Sequence, residues 1–200
     1  MTTANERRHE IVRGPITLVG RHVRLEPLAQ HHATDLYHAG QAPDIWQYLS
    51  LPRGPFATVP DAAQWIHRAL ADHVAGVRLP FAIIFLDTGG AIGSTSYFFE
   101  TRWPNRTLEI GSTWLCPDYW RTVVNTECKY LLLRHAFEML GVYRVELMTD
   151  ARNLCSQRAI ERLGASREGL LRCHMICSDG YRRDSVFYSL LDHEWPTVKA

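Results

Sequence analysis

The order strand, tight loop, long helix between Leu108 and Gly141 constrains this chain more than any other stretch. LEIGSTWL, Leu108 to Leu115, is strand-like. Pro117 opens a turn-prone run, and Tyr119 to Thr126 is rich in small, polar and β-branched residues, which reads as a loop. Behind it Leu132, Leu133, Ala136, Phe137 and Leu140 fall on one helical face, with Lys129, Arg134 and Glu138 directed away from it. Gly141 stands where a helix ends in a left-handed residue. A helix that starts from such a loop presents unpaired N–H groups and the positive end of its dipole, which suits a phosphate.

Composition removes several classes of function. A chain of 200 residues, 46% hydrophobic, can bury a full core without a metal or disulfide. A formal net charge of +1 argues against a nucleic-acid footprint and gives no attraction to a membrane surface. Five irregularly spaced cysteines do not form a disulfide framework and read as reduced thiols. No apolar run approaches the ~20 residues of a membrane span, and MTTANERRHE has no apolar signal segment, so a cytoplasmic location is expected.

The remaining chain supplies the partners of that central unit. Residues 1–13 read as a polar arm and 14–200 as one domain. Ile16 to Leu28 holds two short strands around Gly20, and Val23 and Leu25 alternate with Arg24 as on a half-buried strand. His31 to Ala39 reads as a helix with both histidines solvated. Ala42 to Pro60 mixes aromatics with prolines and is irregular. Asp61 lies near the N-cap of a helix carrying Trp65, Ile66, Ala69 and Leu70, which Gly76 and Pro80 bound. Phe81 to Leu86 and Ala91 to Glu100 form a hairpin about Gly89–Gly90. Tyr143 to Thr149 is a strand, and Asn153 to Leu163 is a helix. Ala165 to Ser178 and Tyr181 to Leu191 form a hairpin at Asp179–Gly180. Hairpins combined with strand–helix–strand connections predict a mixed sheet.

Two runs carry a family resemblance. PDYWRTVVNTEC, Pro117 to Cys128, resembles the acetyl-CoA loop of the GCN5-related N-acetyltransferases (GNAT), most closely the RimJ/RimL type that modifies ribosomal proteins. Pro117, Tyr119, Trp120, Thr126 and Glu127 match that pattern, whereas Arg121, Val123 and Asn125 replace Gly, Gly and Ala. Val123 takes the place of a glycine credited with close approach to the pyrophosphate, and a β-branched residue at φ > 0 costs roughly 1–2 kcal/mol. Asn153, Ser156, Glu161 and Gly164 match a second family run, Asn-x-x-Ser-x-x-x-x-Glu-x-x-Gly.

The resemblance spans Thr17 to Trp195. It implies one GNAT-like α/β (α+β) domain with a mixed, mostly antiparallel twisted sheet and helices on both faces. It implies acetyl transfer from acetyl-CoA to a primary amine, either a peptide N-terminus or a small molecule, without a metal. Arg121, Thr122, Val123, Val124, Asn125 and Thr126 are then expected to bind the cofactor, with Asn153 beside it. Trp114, Leu115 and Cys116 are candidates for the backbone donor to the oxyanion. Glu109 is the candidate base and Ser156 the hydroxyl that donates to the departing thiolate. The same resemblance is compatible with a homodimer.

Cys173, His174 and Cys177 invite a zinc reading, but on a strand the cysteines share one face and the histidine the other. The alternative to an enzyme is a GNAT-fold binding or regulatory protein with weakened turnover, motivated by the altered loop.

Overall fold

The structure is a computed structural model describing residues 14–49, 55–99, 103–177 and 179–199. The arm at 1–13 lies outside the described residues, as do 50–54 of the proline-rich segment. Eight strands form one sheet: β1 (Leu18–Val19), β2 (Val23–Pro27), β3 (Arg78–Phe85), β4 (Ala91–Phe98), β5 (Thr107–Leu115), β6 (Arg144–Asp150), β7 (Ser166–Ile176) and β8 (Arg182–Leu191). Their order is β1-β2-β3-β4-β5-β6-β8-β7. All neighbours are antiparallel except β5 and β6, which run parallel.

Two helices cover one face, α1 (Ala33–Ala39) and α2 (Val59–Val74). The other face carries α3 (Val123–Arg134), α4 (Leu154–Arg162) and α5 (Trp195–Val198). β3 shows why the sheet needs both layers. Phe81 and Ile83 join the core under α3, and Ala82 and Ile84 join the core under α1 and α2. Every residue of this strand except Phe85 is buried, as expected of a strand covered on both sides.

Several boundaries differ from the sequence reading for local reasons. The cap of α2 near Asp61 is Thr58; Asp61 is the third helical residue and its carboxylate accepts from the Thr58 N–H, completing a capping box. Pro80 lies inside β3 rather than ending a helix exit. α3 begins at Val123, so Val123 to Thr126 form its first turn and not the end of the loop. Its last turn widens to a π-helical segment over His135–Met139, and Gly141 takes φ 61° where a left-handed residue was expected.

Two expected surface groups are inside. His32 is 3% exposed; its Nδ1 accepts from the Ala29 N–H and its Nε2 faces Glu26 at 2.9 Å. Lys129 is 6% exposed, because it stands three and four residues before Leu132 and Leu133 and so shares their face of α3.

Candidate active site

The site begins where the sheet splits. β5 pairs with β6 only over Thr107–Glu109 opposite Arg144–Glu146, although both strands continue. Beyond Glu109 the two strands have no paired residues, leaving the β6-facing backbone of β5 open. A bulge in β5 lies at this divergence. Ser96 pairs with Gly111 and Ser94 with Trp114, so Ser112 and Thr113 together oppose Thr95. Ser112 has φ 48°, the left-handed conformation that such an insertion demands. The bulge inverts the alternation of the strand. Leu108 and Ile110 face α3, whereas beyond the bulge Leu115 faces α3 and Trp114 faces α1 and α2.

Backbone direction separates the expected oxyanion donors. The Cys116 N–H donates to Ile92 on β4 at 2.8 Å. Successive N–H groups of a strand point to opposite edges, so the Leu115 N–H points toward the open side. The Leu115 carbonyl on that same edge accepts from the Trp120 indole at 2.9 Å, which ties the loop to the end of β5.

Two helix starts follow the ends of the two parallel strands, α3 after β5 and α4 after β6. At α3 the Thr122 hydroxyl accepts from the Val124 N–H at 3.3 Å and donates to the Tyr119 carbonyl at 2.7 Å. Val123 and Asn125 thus bring first-turn N–H groups to the helix end without a side-chain cap of their own. Positive φ falls on Arg121, at 61°, and Val123 is not among the left-handed residues. The conflict expected at Val123 is therefore absent there, and the left-handed strain falls on Arg121 instead. Arg121 is exposed, and Arg162 reaches from α4 to the Thr126 hydroxyl at 3.4 Å, adding a cation that the sequence reading did not single out.

At α4 the Asn153 Oδ1 accepts from the Ser156 N–H at 3.0 Å, a capping role for Asn153. Ser156 is half-buried in the first turn, and its hydroxyl has no hydrogen-bond partner among the described residues. Glu109 is 9% exposed on the last paired residue of β5, on the face opposite Leu108 and Ile110, with Oε1 close against Gly111.

On the same side of the sheet the side chain of Asp150 is fully buried and accepts from Arg152 through Nε at 3.0 Å and Nη2 at 2.8 Å. Burial alone would raise the Asp150 pKa, but Arg152 outweighs it and holds the carboxyl below its usual range. The Arg152 guanidinium lies 3.6 Å from the Tyr181 ring centroid. Arg183, 5% exposed, has its pKa lowered by burial while Asp150 and Glu109 pull it back up.

Beneath the bulge, the Lys129 ammonium donates to the Thr113 hydroxyl at 2.6 Å. Burial pushes its pKa down to about 8, and burial pushes the neighbouring Cys128 thiol up to about 12. Neither group was predicted to matter, since the charge of Lys129 was taken to mark the outer face of the helix. Among the described residues, Glu26, His31 and His32 are the side chains close enough to share an ion. The Ala29 N–H occupies His32 Nδ1, which places the ring proton on Nε2 toward Glu26 and leaves no lone pair for a cation there. No helix among the described residues is long and apolar enough to cross a membrane.

The sheet split and the two helix starts belong to a single α/β domain with one mixed sheet. Residues 22–166 match the model of the acetyltransferase (GNAT) domain, and the chain belongs to that family. A crystal structure of a putative acetyltransferase from T. thermophilus is 40% identical, covers 93% of this chain and 94% of its own, and superposes with a TM-score of 0.77. YdaF of Bacillus subtilis, a putative ribosomal N-acetyltransferase, is 34% identical over 96 residues, 48% of this chain and 51% of its own. Mycobacterium smegmatis RimJ, solved with CoA-disulfide, has a TM-score of 0.76 at 21% identity over 92% of this chain and 88% of its own, a likeness of fold.

Proposed function

We propose that this protein transfers the acetyl group of acetyl-CoA to a primary amine, of a peptide N-terminus or a small molecule. The observation that carries the reading is the three-pair contact between parallel β5 and β6, each strand running on into a helix start, α3 and α4. A pantetheine arm is an amide chain, and the open edge of β5 offers it strand-like hydrogen bonds. Its pyrophosphate suits the Val123 and Asn125 N–H groups and the Arg121 and Arg162 cations. The RimJ neighbour, solved with CoA-disulfide, supports this class of ligand, and YdaF supports a ribosomal-protein amine among the acceptors to try.

Each residue then has a defined task. Leu115 donates its N–H to the thioester oxygen as negative charge develops there. Glu109 accepts the proton that the attacking amine loses, directly or through a water. Ser156 gives its hydroxyl proton to the thiolate as the carbon–sulfur bond breaks and recovers one from solvent. An α-amine needs less help than a lysine, since its pKa near 8 leaves more free base at neutral pH than one near 10.4.

The test is binding followed by turnover. Acetyl-CoA at about a hundredfold its Kd should stabilise the fold by about 2.7 kcal/mol and raise Tm accordingly. Thiol release should then depend on an amine from a panel of peptides, polyamines and amino sugars. An unmoved Tm at millimolar acetyl-CoA would sink the proposal.

A further inference from the structure

We propose that Lys129 is a positioning residue whose hydrogen bond to Thr113 braces the β5 bulge and so holds the Leu115 N–H toward the gap between β5 and β6. The catalytic half of this inference rests on the acetyl-transfer reading; the brace itself does not. Ser112 stands at φ 48° without being glycine. Such a conformation persists only where its surroundings over-determine it. The bulge is held by the ladder to β4. The side chains add a second hold: the Thr113 hydroxyl meets Lys129 Nζ from α3 at 2.6 Å and the Thr95 hydroxyl from β4 at 2.8 Å.

Lys129 and Thr95 are buried and Thr113 is half-buried, so the ammonium has little access to water. A methionine would fill the same space without desolvating an amine, so stability alone does not favour lysine there. What the amine adds is a donor aimed at the inserted residue. The position of that residue sets which face Trp114 takes and which edge the Leu115 N–H takes. Lys129 comes from α3, the helix whose start follows β5, so one helix both presents the anion-binding N–H groups and fixes the bulge.

The experiment compares Lys129→Met with the wild type by amide hydrogen exchange and steady-state kinetics. Exchange in the segment 111–116 should rise about tenfold or more while the rest of the sheet and Tm are kept. With acetyl-CoA and an accepted amine, kcat should fall about tenfold, a fraction of the cost of deleting an oxyanion donor, and KM for acetyl-CoA should stay within about twofold. Lys129→Met on a Thr113→Val background should add less than about twofold to either readout, because the acceptor of the Lys129 bond is already gone. Should Lys129→Met not fold, Thr95→Val loosens the same hydroxyl from the β4 side and is read in the same way.

Unchanged exchange at 111–116 overturns the brace whatever the activity. Raised exchange with wild-type kcat overturns its link to catalysis. A wild type that releases no thiol with any amine overturns the acetyl-transfer reading, and the exchange result still decides the brace.

Discussion

Replacing Glu127 tests how the first turn of α3 is held in place. Its carboxylate accepts from three consecutive backbone N–H groups: Arg21 at 2.5 Å, His22 at 2.8 Å and Val23 at 3.0 Å. The Arg21 bond is exposed and the other two are part-buried, so water can replace only the first at little cost. Hydrogen bonds to a charged group contribute about 1.5–3 kcal/mol each, and counting the two part-buried ones gives roughly 3–6 kcal/mol as an upper range. Relaxation of the β1–β2 turn toward water should recover about half, leaving a loss of roughly 2–3 kcal/mol for Glu127→Ala. For a chain of this size that lowers Tm by about 4–12 °C. Glu127→Gln should lose nearly as much, because its amide places an N–H₂ against backbone donors. Gly20 leaves no slack, since a Cβ there would lie 2.6 Å from Glu127 Cδ, so Gly20→Ala should destabilise as well. Differential scanning fluorimetry reads all three variants. A Tm within about 2 °C of wild type for both Glu127 variants would refute the anchoring argument.

Other expectations follow from single residues. Arg121→Gly removes a left-handed arginine at φ 61° but frees the unfolded chain, so Tm should move by less than about 4 °C in either direction. Its affinity for CoA by calorimetry then reports the side chain alone, and an unchanged Kd would remove Arg121 from phosphate binding. Ser156→Ala should fold normally, because the Asn153 cap uses the Ser156 N–H and not its hydroxyl. Its turnover should fall by about 10²-fold or less, and wild-type turnover with chemistry rate-limiting would leave Ser156 as a helix-start residue. His135 is buried, and burial lowers its pKa below 6.5. The unfolded chain therefore binds the proton first, and stability should fall as pH drops below about 6.5. Denaturant midpoints between pH 7.5 and 5.5 should show this, with a shallower slope in His135→Met; equal slopes would contradict it.

The strands, the central helix and both hairpins were legible because burial on two faces imprints apolar runs and turns impose Gly and Asp. The site was legible less evenly. Matching Val123 to a family glycine placed the left-handed residue two positions late, since the helix starts at Val123 and the chain must turn at Arg121 before it. Lys129 was assigned outward because charge was taken to mark the solvent side, and no local pattern announces that a bulge on another strand needs a donor. His32 was given to solvent on helical geometry, whereas it caps a short 3-10 turn from inside. Of the three backbone groups offered as oxyanion donors, only pairing with β4 could show that the Cys116 N–H is already engaged. Register is a long-range property and leaves no trace in a single run of residues.

The short ladder between β5 and β6 also has a mechanical consequence. It is a seam: three residue pairs join the sheet's first five strands to its last three. α3 is riveted to the first group through Glu127, and α4 follows directly from β6 in the second. A molecule lying along the seam touches both groups at once and acts as a removable stitch. Beneath the seam one apolar core runs unbroken from β5 and α3 to β6 and β8, so a bound molecule should add hydrogen-exchange protection at the facing strand edges rather than join two separate blocks.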